Sequence, residues 1–464
     1  MLVDSPWILR LRGDVQVHGL DEKEWHIVDR GGRGIVLRSD AKEVRLLVAK
    51  LAGTGGTTGD LLQEVPNTSH VYYLLFRLER HRLLRAVVEC GGRVWADFVP
   101  LLRANRAVPP GAEDSARWRL SRYAVVRREG EVLLLENPAG PGPVRFHHSL
   151  LASWLGPLVE GASLTELVGL VAPANPAVGG LLLQLLASAG IVDRVDPCTG
   201  EPSLDRGYPL RAWEPHDLWA QAAAMSGRQE GTLGGSFPHE YDFPHPPALR
   251  KVGPETIRLP DPTPWPSLSF GEVIEERRSR RVEGEGRLDL ARLSRFLAGV
   301  ARVQFHRPAD PDHPRRYEAV YTPSAGGGGM GEIELLLCIR SVASVFPGLY
   351  AYQGRDHVLL PLPCSGDRRD KLARTYAGAA GLERPDVVFV LSAHWARMSW
   401  KYEKIVGAVI LRDAGALYQQ MYLVATALGL HACGTGTVGS TALAEATGEH
   451  PWERVAVGGF LLSG

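Results

Sequence analysis

At 464 residues the chain is long enough for two to four domains with ample cores. Lys and Arg total 52 and Asp and Glu total 52, so no bulk charge holds nucleic acid or an anionic membrane as an obligate partner. The five cysteines (Cys90, Cys198, Cys338, Cys364, Cys433) are scattered and form no C-x-x-C pair, which argues against a disulfide scaffold and against a metal site. The first ten residues lack a basic segment followed by an apolar core, and no run approaches the roughly 18 uncharged apolar residues of a membrane span. A cytoplasmic, soluble protein is expected.

Residues 7–11 and 34–37 read as short strands, followed by helical runs at 43–51 and 57–64 and a longer amphipathic run at 71–88. The order returns downstream, with strands at 123–126 and 132–135 and helical runs at 150–155, 163–170 and 178–191. Ser163-x-x-Glu166 is a capping box, and Thr57-x-x-Asp60 is a weaker equivalent. Strands, short helices and a returning strand, twice over, predict two winged-helix-like modules, at 1–110 and 111–200. Winged helices often bind DNA, but Gly180-Leu-Leu-Leu-Gln-Leu-Leu-Ala187 has no basic face, and Glu79 and Glu89 dilute Arg77, Arg80, Arg82 and Arg85. A guest peptide adding as a strand to a sheet edge fits this neutral surface better, so peptide docking is expected rather than nucleic-acid readout.

Between 201 and 265 the composition shifts to Pro, Gly, His and aromatics, as in Phe237-Pro-His-Glu-Tyr-Asp-Phe-Pro-His-Pro-Pro247. This reads as a connector that lies on its neighbours. His216 and Asp217 admit a metal or acid–base reading, but a capping pair in a connector is the expectation.

Residues 266–464 alternate helix and strand: a helix at 288–300 after a basic turn, strands at 333–339 and 387–392, a buried helix from Asp413, and a closing strand at 455–462. The expected fold class is α+β. Glu276-Arg277-Arg278-Ser279-Arg280-Arg281 concentrates positive charge that is costly to bury without an anion. Arginine forks beside a serine hydroxyl suit a phosphate monoester, and a solvated basic turn is the plain alternative. Tyr321-Thr-Pro323-Ser324-Ala325-Gly326-Gly-Gly-Gly329-Met-Gly331 is a glycine loop feeding a strand, where backbone can approach a flat ring or phosphate closely. It lacks Gly-Lys-Ser/Thr and precedes no helix, so it is neither a P-loop nor a dinucleotide turn. A second glycine turn, His431-Ala-Cys-Gly434-Thr435-Gly436-Thr437, ends the buried helix. Its Cys433 admits a redox reading, but no resolving cysteine is near and a buried packing role is expected. Lys401 and Tyr402 stand between strand and helix; out of context they read as the ordinary start of an amphipathic helix.

Taken in order, these motifs resemble the flavin-dependent nitroreductase fold, and within it the SagB-type (McbC-like) azoline dehydrogenases of ribosomal peptide biosynthesis. The resemblance implies FMN as cofactor. Arg277, Arg278, Ser279 and Arg281 match the Arg-x-Ser-x-Arg/Lys signature that holds the FMN phosphate and ribityl chain. Pro323, Ser324, Ala325 and Gly326 match the Pro-Ser-x-Gly segment that cradles the isoalloxazine. Gly434, Thr435, Gly436 and Thr437 match the turn whose backbone N–H meets flavin N5. Where the family has a large residue and a proline before the strand, this chain has a longer glycine run. The connector's His216-Asp217…Ser226-x-Arg228-x-x-Gly231 is similar to that of long SagB-type enzymes.

The resemblance also implies roles. A lysine desolvated beside a flavin suits abstraction of the azoline Cα proton, which assigns Lys401 as base. Tyr402 would donate to the azoline nitrogen or relay the proton. The family further implies a precursor-peptide substrate, a cyclodehydratase that supplies the azoline, a homodimer with flavin at its interface, and reoxidation by dioxygen. The C-terminal arm that adds basic residues in many nitroreductases is not matched after Phe460, which leaves the anion to residues 277–281. Two other readings stay open. A generic nitro or quinone reductase would share the fold without a use for Lys401-Tyr402 or the N-terminal half, and a non-catalytic peptide-binding partner would have lost the flavin.

Overall fold

Two separate sets of apolar strands and helices nucleate two cores, and in a computed structural model the chain divides accordingly into units Met1–Leu233 and Gly234–Gly464. The structure describes residues 2–464 apart from 4, 22, 23, 31, 33, 39–41, 66, 103–115, 172–175, 208, 209, 226, 227, 229–232, 284–287, 311, 314, 315 and 437. Among the described residues no helix is long and apolar enough to cross a membrane.

The first unit is built on a six-stranded antiparallel sheet in the order Ile8–Leu11, Leu84–Cys90, Arg93–Phe98, Val144–Phe146, Val132–Glu136, Val125–Glu129. Strands from residues 1–110 and from residues 111–200 therefore share one sheet, joined where Ala96 pairs with Phe146. One face buries Leu9, Ala86, Val88, Ala96 and Phe98 in a core shared with helices Lys42–Ala52, Thr68–Arg80 and Pro176–Ser188. Strand period two sends Arg85, Asp97 and Arg145 to the other face. There Asp97, 1% exposed, pairs with Arg85 at 2.7 Å, His147 at 3.3 Å and Arg145 at 3.4 Å. Both anticipated capping boxes form, Thr57 with Asp60 and Ser163 with Glu166.

The run at 71–88 is not one amphipathic element. Its helical spacing (Val71, Leu74, Leu75, Leu78) ends at Arg80, Arg82 turns the chain with φ 60°, and Leu84–Cys90 is a strand. Ala86, Val87 and Val88 are all buried, because a strand inside a covered sheet presents apolar residues in succession rather than at helical intervals. The helix Pro215–Ala223 also departs from expectation, since no side chain caps it; His216 and Asp217 lie 3.5 Å apart with side chains 80% and 64% exposed. Of the Ser-x-Arg-x-x-Gly stretch, Ser226 and Gly231 lie outside the described residues, while Arg228 donates to the carbonyls of Asn137 and Gly140.

The second unit is a seven-stranded antiparallel sheet in the order Ile257–Arg258, Val358–Leu362, Gly348–Gln353, Ile333–Ile339, Val387–His394, Arg454–Ser463, His431–Thr435. Both faces are covered. Leu335, Leu337 and Phe389 pack under helices Leu290–Ala301 and Val406–Ala427, while Leu336, Cys338 and Val388 pack under Gly366–Ala379 and Ser440–Thr447. Val387–His394 is consequently buried along its whole length. The long helix starts at Val406, seven residues before Asp413, so Lys401 and Tyr402 lie in the break between it and the short helix Trp395–Ser399. They begin no helix.

Candidate active site

Arg397 anchors the short helix that leads into Lys401. It is 1% exposed, and its guanidinium donates to the carbonyls of Met330, Pro246 and Glu318 and to the Glu318 carboxylate at 3.2 Å. Burial holds its pKa down at about 10, partly offset by Glu318. After the helix, Lys404 turns the chain in the left-handed region with φ 65°. Residues 234–237 lie along this turn: Glu403 N–H donates to the Gly234 carbonyl at 2.8 Å and Phe237 N–H to the Lys401 carbonyl at 3.0 Å. The half-buried Lys401 thereby presents Nζ to the Tyr317 hydroxyl at 2.6 Å, 4.5 Å from the Tyr317 ring centre and 4.8 Å from that of Tyr402. Two aromatic faces and a hydroxyl fix where the amine stands. Beside them His245 meets the Trp400 ring edge-on at 4.8 Å, and burial followed by Arg397 pushes its pKa down to about 3.

The glycine run closes this site. Gly328 has φ 66°, and a Cβ there would collide with both Lys401 Nζ and Tyr402 Oη. The polar tips of the Lys-Tyr pair thus converge on the backbone at Gly328, where a side chain would force them aside. Gly327 N–H donates to Asp413 on the long helix at 2.7 Å. Asp413 also hydrogen-bonds the carboxyl of Glu332, which is 3% exposed; burial and then this neighbour raise the Glu332 pKa far above the carboxylate range. The glycine run at Gly327–Gly329 therefore has a structural use.

A second cluster forms farther along the same helix. The Arg277 guanidinium lies over the Tyr422 ring at 5.4 Å, Ser279 Oγ is 2.8 Å from Tyr422 Oη, and Gly434 N–H donates to that oxygen at 2.7 Å. Arg280 N–H donates to the Ala432 carbonyl at 2.8 Å. One turn earlier, Tyr418 donates to the Thr435 carbonyl at 2.8 Å and accepts from Gly459 N–H at 2.7 Å. Arg278, Arg281 and Gly436 are exposed, and Thr437 lies outside the described residues. Cys433 is 1% exposed and packs in the core, as expected.

The sequence-derived residues thus fall into two groups on one helix, Lys401-Tyr402 with the 323–329 loop near Asp413, and Arg277-Ser279 with Gly434-Thr435 near Tyr422. The two anchors, Asp413 and Tyr422, are nine positions apart on the helix, about 13.5 Å of axial rise. Pro323 is half-buried, and Ser324, Ala325 and Gly326 line a cavity of 330 Å³ with Glu332 and Asp413. A phosphorylated flavin fits these donors: Ser324 Oγ is buried without a partner, and among the described residues Arg277, Arg278, Arg280 and Arg281 form no ion pair with a carboxylate. Tyr317, Arg397, Tyr422 and residues 234–237 escaped the sequence reading. The signal available was two tyrosines four apart on a buried helix, each needing a polar partner.

An antiparallel sheet with a helix pair on each face defines an α+β domain. Residues 287–460 match the family model described as Nitroreductase family, so the C-terminal region carries a nitroreductase domain. Proteins of that family are oxidoreductases that bind FMN. Similar solved structures include a candidate nitroreductase of Ralstonia eutropha JMP134, at 20% identity and TM-score 0.35, covering 46% of this chain and 91% of that one. The Escherichia coli microcin synthetase McbBCD complex with truncated pro-MccB17 matches at 19% identity and TM-score 0.32, over 43% of this chain and 73% of that one. A candidate nitroreductase of Desulfovibrio desulfuricans in complex with FMN matches at 16% and 0.27, over 42% and 86%. No curated protein matches the chain.

Proposed function

We propose that this protein is an FMN-dependent dehydrogenase that oxidises thiazolines or oxazolines in a ribosomally made precursor peptide to thiazoles or oxazoles. The observation that carries the reading is the convergence of Lys401 Nζ and Tyr402 Oη on Gly328, at a glycine loop within the nitroreductase domain. A reductase that only passes hydride to a nitro group or quinone has no use for such a pair. Azoline oxidation needs it, because a Cα proton must leave as well as a hydride from the neighbouring carbon.

FMN, when bound, would accept the hydride. Lys401 Nζ would take the Cα proton, and Tyr402 Oη would donate to the azoline nitrogen as charge spreads onto it. Arg277, Arg278, Ser279 and Arg281 would hold the phosphate, with Pro323, Ser324, Ala325 and Gly326 along the ring; Gly434, whose N–H is committed to Tyr422 Oη beside Ser279, would lie with the phosphate end rather than at N5. In the first unit, the outermost strand Val125–Glu129 offers an edge to which a leader peptide can add. A cyclodehydratase would supply the ring, and a homodimer with flavin at its interface is proposed with it.

Full-length protein loaded with FMN, given a peptide bearing one thiazoline behind its leader, should produce a mass loss of about 2 Da per ring, the two hydrogens removed. Removing the leader should raise KM more than it lowers kcat. Reduction of nitroarenes or quinones without any azoline oxidation would overturn the reading.

A further inference from the structure

The hydrogen bond that fixes Lys401 comes from a residue outside its own motif. Tyr317, 2% exposed, lies just ahead of the strand Ala319–Tyr321. Its hydroxyl donates to the Gly328 carbonyl at 3.1 Å and stands 2.6 Å from Lys401 Nζ. A phenol has one proton; with that proton directed at the carbonyl, only a lone pair faces the amine, so Lys401 must be the donor. The ring itself is held by Phe237 at 6.2 Å and Trp400 at 6.3 Å. A lysine has a long flexible stem, and here its tip is pinned at a rigid point on the glycine loop. Tyr402, whose ring face covers the same amine at 4.8 Å, keeps its hydroxyl for other work.

We propose that Tyr317 is the positioning residue of Lys401, dividing the task between two tyrosines: Tyr317 aims the base, and Tyr402 attends to the substrate. The proposal builds on Lys401 being the base. It differs from that reading in requiring a residue 84 positions away in sequence, acting on the amine even when no substrate is present.

The test is Tyr317→Phe, which keeps the ring and its packing and removes only the oxygen. In FMN-loaded full-length protein with a one-thiazoline peptide, kcat should fall about 10- to 100-fold, the scale of a misplaced catalytic group. KM and bound FMN should stay unchanged, and deuterium at the azoline Cα should slow the variant more than the wild type. In a Lys401→Met background, Tyr317→Phe should cost nothing further; an equal loss there would overturn the proposal. Independently of turnover, reductive methylation followed by mass spectrometry should show Lys401 modified several-fold faster in Tyr317→Phe, with Lys371, whose side chain is 57% exposed, as the unchanged reference. An unchanged ratio of Lys401 to Lys371 labelling would also overturn it. Should the wild type fail to oxidise the thiazoline, the functional reading falls, while the labelling ratio still decides whether Tyr317 holds Lys401.

Discussion

The two clusters on the helix Val406–Ala427 are built on opposite terms. Near Asp413 the groups that fix the geometry are committed, Lys401 to Tyr317, Tyr317 to Gly328, Gly327 to Asp413, and Arg397 to three carbonyls, while Ser324 Oγ has no partner among the described residues. Near Tyr422 the backbone is fixed but the charges are left open, with Arg278 and Arg281 exposed and no carboxylate paired to the basic turn among the described residues. On the proposed reading this end transfers a proton, which tolerates little error in position, so a pre-arranged cluster suits it. Binding a phosphate, the role proposed for the other end, needs uncommitted donors, and the open arginines supply them. The difference separates geometry from affinity along one helix, and it can be broken at either end.

The largest effect is expected at the committed end. Lys401→Ala should cut azoline oxidation by about 10²–10⁴, the usual loss for a general base, with the flavin spectrum and stoichiometry intact. Near-normal turnover of the flavin-loaded variant would remove the lysine from the mechanism. Tyr402→Phe should cost less, since only a hydroxyl is lost. Gly328→Ala should displace Lys401 and Tyr402 together and force a side chain into φ 66°, costing about 1–2 kcal/mol in stability from the backbone alone. Thermal denaturation and single-turnover rates would both report it, and a variant as stable and active as the wild type would show that the loop is not closed on the pair.

At the open end the effects should be smaller and of a different kind. Arg277→Ala should weaken FMN binding about tenfold or more, the worth of a hydrogen bond to a charged group, while turnover at saturating FMN stays near normal. Flavin fluorescence titration measures the first and steady-state assay the second; a loss in kcat at saturation would erase the distinction between the two ends. The mildest expectation concerns Glu332. Burial and Asp413 raise its pKa, so the fold favours the protonated carboxyl. Stability from this group is full below the ordinary carboxylate value of about 4.3 and is lost as pH rises through the raised one. Glu332→Gln should flatten that decline, and an unchanged slope in thermal melts across the neutral range would show that the pair carries no such penalty.

Much of the second unit was legible in the sequence because its signals are local. Strands covered on both faces read as unbroken apolar runs, as in Val387–His394, and the basic turn and glycine loops stand out by composition. What escaped was set by tertiary approach. Nothing in the sequence around Tyr317 places it against Lys401, and nothing in residues 234–237 marks a strap over Glu403; both contacts span long stretches of chain. In the first unit, the break between Arg80 and Leu84 was hidden because the apolar residues of a helix face and a buried strand follow one another without a glycine or proline between them.

The long helix has a consequence for how this domain can diverge. From one continuous helix Asp413 bonds the glycine loop at Gly327 while Tyr418 and Tyr422 bond the strand residues Thr435 and Gly434, so it acts as a ruler with three marks. Inserting or deleting one residue between the first two marks would rotate one half against the other by about 100° and shift it by about 1.5 Å. One end would lose its partners whichever way the chain relaxed. Length variation among descendants of this sequence should therefore collect in loops outside 413–422, while substitutions between those marks remain free wherever they keep the helix.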